Sequence, residues 1–87
     1  MKSIDDYWRN RASEMMLAMW KKPYGRARLM HLAIDLYGKK DDTNAFRVMT
    51  KLRKVGYAER VTIGVYQLTE LGKEAAREIA WENRDHR

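Results

Sequence analysis

Three features of this sequence predict a mainly α-helical chain with one small β-hairpin, in the order helix, helix, helix, strand, strand, helix. Apolar residues recur at spacings of three and four through residues 4–22, 26–37, 43–55 and 69–83, the period of helices that bury one stripe. Between 57 and 68 the pattern changes to β-branched and aromatic residues on either side of Ile63-Gly64, the composition of a tight antiparallel hairpin. Pro23, Gly25, Gly38 and Gly56 stand at the joints between the periodic segments, where proline and glycine end helices. A chain of 87 residues holds one core, so residues 1–87 read as a single domain.

The first helix has Ser3 as its cap, with Asp5 and Asp6 in the first turn where negative charge suits the helix dipole. Its stripe is Ile4, Trp8, Ala12, Met15 and Met19, widened by Met16 and Trp20. The second half is apolar almost all round, which implies burial, while residues 1–10 form an extension with Ile4, Tyr7 and Trp8 as its apolar material. Pro23, Tyr24 and Gly25 end this helix. The second runs from Arg26 to Tyr37 on Leu29, Leu32, Ala33 and Leu36, with Arg28, His31 and Asp35 opposite. Gly38 stops it, and Lys39 to Asp42 make a short charged connection of the length found in a helix-turn-helix.

The third helix, residues 43–55, organises the chain. Ala45, Val48, Met49, Leu52 and Val55 form its apolar stripe, and Thr43, Asn44, Arg47, Thr50, Lys51 and Lys54 its polar side. Asp42 or Thr43 can cap its start, and Gly56 can take the left-handed conformation that ends it. In the hairpin, residues 57–68, a two-residue turn at Ile63-Gly64 would set Thr62 opposite Val65 and Arg60 opposite Gln67. Thr69 caps the last helix, residues 69–83, whose stripe is Leu71, Ala75 and Ile79 with Ala76 and Ala80 beside it. Trp81 falls off that stripe, either against the N-terminal extension or in a subunit contact.

Composition narrows the function. With 45% apolar and 34% charged residues and no apolar run longer than Met15 to Trp20, the chain reads as globular, without a membrane span or signal peptide. It is expected in the cytoplasm, nucleoid-associated if its partner is DNA. The absence of cysteine excludes disulfides and thiolate metal sites, and His31 and His86 lie far apart, so no metal or cofactor is expected. No catalytic Ser-His-Asp or Cys-His set and no glycine-rich phosphate loop is present, and Asp41-Asp42 read as helix-entry charges, so an enzyme is not expected. The net charge is +6, and it is concentrated: between Lys21 and Arg60 eleven basic residues face four acidic ones. That suits a polyanion docking on one surface.

The runs KLRKVGYAER and VYQLTELGKEA carry a resemblance. Lys51, Leu52, Gly56 and Tyr57, followed by Tyr66, Leu68, Thr69 and Gly72, resemble the K-L-x-x-x-G-hydrophobic and Y-x-L-T-x-x-G runs of winged helix-turn-helix repressors of the MarR and PadR type. The resemblance spans roughly Met15 to Ile79. It implies a winged helix-turn-helix fold and a sequence-specific transcriptional regulator of double-stranded DNA, a repressor, reading the major groove with residues 43–55. Thr43, Asn44, Arg47 and Thr50 would then meet base edges, and Arg26, Arg28, Lys40, Lys51, Lys54 and Arg60 phosphates. Extra terminal helices in such proteins commonly build a homodimer, which would use Ile4, Tyr7, Trp8, Ile79 and Trp81. The chain departs from the pattern at the uncharged hairpin tip, Thr62, Ile63 and Gly64, and at Phe46, which could press on a thymine methyl or be buried between the second and third helices. The short uncharged tip and the aromatic ends suit a second reading, a module binding an acidic protein partner; charge placement favours DNA.

Overall fold

The computed structural model describes residues 4–39 and 42–85. Four helices and a three-stranded antiparallel sheet make up the fold: α1 (Ile4–Trp20), β1 (Arg26–Arg28), α2 (Leu29–Tyr37), α3 (Asp42–Lys54), β2 (Ala58–Thr62), β3 (Val65–Leu68) and α4 (Glu70–Asp85). A 3-10 turn, Pro23–Gly25, follows α1. Every element contributes to one buried cluster. Met15, Met16 and Met19 come from α1, Leu32 and Ala33 from α2, and Ala45, Val48, Met49 and Leu52 from α3. The strands add Ala27, Ala58, Tyr66 and Leu68, and α4 adds Ala76. No described helix is long and apolar enough to cross a membrane.

The sheet has one strand more than the sequence predicts. Residues 26–28 begin the second helix by periodicity, but they form β1, paired with β3 in the order β1-β3-β2. Three residues are too few for a two-residue alternation to register, and the pairing partner lies about forty positions away along the chain. The helix starts only at Leu29, whose N–H donates to the Gly64 carbonyl at 2.8 Å. The hairpin turn is at Ile63-Gly64, and Thr62 lies opposite Val65 as expected. Arg60, however, faces Tyr66 and not Gln67, because the register shifts between Arg60 and Thr62. Such a bulge leaves one extra residue on its strand and re-aims those before it.

The joint between α3 and α4 explains the motifs shared by the two ends of the hairpin. Gly56, at φ 85°, ends α3. The Tyr57 N–H donates to the Leu52 carbonyl at 2.9 Å and the Gly56 N–H to that of Arg53 at 3.1 Å, the paired bonds of a Schellman termination. The Thr69 hydroxyl donates to the Gly56 carbonyl at 2.6 Å and accepts the Gly72 N–H at 3.0 Å. One threonine therefore caps α4 and ties it to the end of α3. Gly72 lies so close to the Tyr57 carbonyl that a Cβ built there would stand 1.9 Å from the oxygen.

That close approach turns α4. The side drawn inward carries Gly72 and Ala76, with Ala75 and Ile79 partly buried, while Leu71 is 53% exposed. The expected stripe through Leu71 is corrected for this reason. Val55 is also exposed, since α3 ends at Lys54 and Val55 stands in the turn. The helix begins at Asp42, so Thr43 lies in its first turn and not at the cap. α1 stops at Trp20, short of the expected Lys22, and its predicted cap Ser3 lies outside the described residues. α1 and α4 pack against each other within one chain.

Candidate functional site

α3 presents its polar side to solvent because four residues of its apolar stripe are buried. Ala45, Val48, Met49 and Leu52 are 2% exposed or less, which fixes the rotation of the helix. At about 100° per residue, the centre of the outward face then falls on Thr43, Arg47, Thr50 and Lys54, and all four are exposed. Asn44 lies about 100° from Thr43, half-buried and engaged in contacts at the edge of this face. The Thr50 hydroxyl donates to the Phe46 carbonyl at 2.8 Å, so its proton is committed and its oxygen is left to accept. Phe46 is not buried between α2 and α3; it is 48% exposed on the flank of the same face.

The expected phosphate contacts do not all gather here. Lys51 stands on one flank of α3, at the rim of a groove shared with α1 and α4. On the other flank, the Arg53 guanidinium sits over the Tyr66 ring at 5.8 Å. Arg60 pairs with Tyr66 across the strands, and cross-strand partners share a sheet face. Arg53 and Arg60 therefore continue the cationic surface of α3 onto the sheet. Sequence reading passed over Arg53; the signal was its i+3 spacing from Thr50 on the polar side.

Arg26 and Arg28 alternate with buried Ala27, which puts them on the sheet face away from the core. Arg26 donates from Nε and Nη2 to Gln67 Oε1 at 3.0 and 2.8 Å. Arg28 lines a groove with His31 and Thr62 at the start of α2. These two arginines are thus separated from α3 by the sheet, and Lys40 lies outside the described residues. Among the described residues no three His, Asp or Glu side chains converge to hold a metal ion.

Of the expected subunit contacts, Ile79 packs against its own core and Trp81 is 63% exposed. The side chains of Ile4, Tyr7 and Trp8 are outside the described set. No family model, characterised protein or solved structure matches the chain.

Proposed function

We propose that the chain is a sequence-specific regulator of double-stranded DNA, of winged helix-turn-helix type, acting as a repressor by occupying its site as a homodimer. The observation that carries this reading is the outward face of α3. Arg47 stands at its centre between Thr43, Thr50 and Lys54, with Lys51, Arg53 and Arg60 on its flanks. A helix with hydrogen-bonding residues in its first turns and cations around them suits the major groove. The layout is compatible with a winged helix: α3 leads into a hairpin whose returning strand also pairs with β1. Two copies would read successive major grooves about 34 Å apart.

In this reading Arg47 meets a guanine edge, and the exposed Phe46 beside it meets a thymine methyl. The test is selection of enriched sites from a pool of random duplexes, followed by variants on the best site. Arg47→Ala is expected to lose about 1–3 kcal/mol there and to relax the preference at one base pair. An equal loss on every sequence would place Arg47 on a phosphate instead. Replacing the contacted thymine by deoxyuridine should weaken binding about fourfold, the worth of one buried methyl, and should have no effect on the Phe46→Ala variant.

One observation favours the second reading, a module for an acidic protein partner. The hairpin tip, Thr62, Ile63 and Gly64, is uncharged and leaves Ile63 88% exposed, so it offers no cation to a phosphate. Weak duplex binding with no enriched motif would select that reading.

A further inference from the structure

The outward face of the sheet carries a second basic surface, apart from α3. Arg26 and Arg28 project from it two residues apart, about 6.7 Å along β1. Gln67 holds the Arg26 side chain in place, and the Arg28 guanidinium has no hydrogen bond or ion pair among the described residues. Two adjoining hollows of about 450 and 400 Å³ open here. Arg28, His31, Thr62 and Val65 line both, so the two form one trough. Lys22 and Arg26 border its first part, and Met30 and Ile63 its second. No described carboxylate lines it: Asp35 pairs with Lys22 from outside at 3.3 Å, and Glu59 stands beyond Gln67 on the same sheet face. The bulge in β2 belongs to this surface. Neighbours on a regular strand point to opposite faces, yet Val61 and Thr62 line the same hollow, because the extra residue re-aims one of them.

We propose that this trough binds an acidic peptide segment of a partner protein, one that carries apolar side chains among its carboxylates. The lining selects that chemistry. Its cations suit carboxylates and phosphates alike, and the apolar floor of Val61, Val65, Met30 and Ile63 separates the two. A phosphate backbone gains nothing from such a floor, and no aromatic ring lines the trough for bases to stack on, since Tyr24 lies outside it. A peptide meets cations and floor with one extended chain. The arginine forks match carboxylates, and the bonds from Gln67 keep one fork aligned before the partner arrives. The net charge of +6 draws acidic segments from a distance. The inference deepens the acidic-partner reading above by giving that partner a surface of its own. Because the sheet separates Arg26 and Arg28 from α3, one chain can hold peptide and duplex together.

The test selects binders to the full chain from a displayed library of random peptides about twelve residues long, at about 0.15 M salt. The most enriched peptide is then synthesised, labelled and titrated by fluorescence anisotropy. Sequences that combine Asp or Glu with Leu, Ile, Val or Phe are expected, with Kd of about 1–100 µM. Arg26→Glu together with Arg28→Glu should weaken the peptide at least about tenfold, and Val61→Ser about fivefold, with circular dichroism reporting that each variant is folded. Lys54→Ala, on α3, should leave its affinity within about twofold, as should saturating duplex. A peptide that follows Lys54 and ignores the two arginines places the acidic partner on α3 and overturns the proposal. Polyglutamate of the same length binding as tightly reduces the contact to charge and does the same. So does a single-stranded oligothymidylate that displaces the peptide and is lost with the double variant, because it gives the trough to nucleic acid. Failure to enrich any acidic peptide sinks the trough and leaves the DNA reading of α3 standing. A trough peptide on a chain that ignores duplex would do the reverse.

Discussion

Gly72→Ala is expected to destabilise the fold by about 3 kcal/mol or more, although glycine to alanine in a helix ordinarily gains about 1 kcal/mol. The reason is steric. The new Cβ would stand 1.9 Å from the Tyr57 carbonyl oxygen and 2.8 Å from its carbon, and backbone cannot swing aside as a side-chain end can. α4 would have to lift from the start of β2, stretching the bonds by which Thr69 holds the end of α3. Urea unfolding measures the loss. Gly64→Ala is the comparison: its φ is 74° with nothing within 4 Å of the added Cβ, so only the left-handed backbone penalty of about 1–2 kcal/mol applies. A Gly72→Ala variant as stable as the parent would mean that α4 does not rest on Tyr57.

The second large effect is expected from salt. If Lys51, Arg53, Lys54 and Arg60 each neutralise a phosphate, affinity for duplex DNA should fall with a logarithmic slope of about −3.6, or about 150-fold between 50 and 200 mM salt. Titrations at several salt concentrations measure the slope. Lys54→Ala should reduce its magnitude by about one. Arg26→Ala should leave it unchanged, because Arg26 is bonded to Gln67 on the far side of the sheet from α3. A slope that responds to Arg26 and ignores Lys54 would move the duplex to the outer sheet face and overturn the role given to α3.

Much of the fold was legible because the signals were local. The stripe of α3 from Ala45 to Leu52, its glycine stop, the Ile63-Gly64 turn and the Thr69 cap each lie within a few residues, and each is present in the structure. The misses have a common origin in contacts between distant residues. β1 exists because residues 26–28 find β3, the register of Arg60 depends on a bulge, and Leu71 turns outward because Gly72 meets Tyr57. Among site residues, Thr43, Arg47, Thr50 and Lys54 could be placed together from helical spacing alone. The same spacing puts Arg53 on the flank of that face, but Arg60 could not be placed, since only the approach of α3 to Tyr66 brings the sheet beside it.

By itself, then, the sequence determined four helices, a hairpin, a central helix with one apolar and one basic side, and where the positive charge lies. Periodicity, caps and composition encode these without reference to distant residues. The tertiary structure alone decided that α1 and α4 pair within one chain, that Arg26 and Arg28 stand on the other side of the sheet from α3, that Phe46 and Trp81 face solvent, and that a groove opens between α1, α3 and α4. Each of these depends on how one element rotates against another. That rotation is set by close packing, here by a missing Cβ and a threonine hydroxyl, which no single segment of the chain contains.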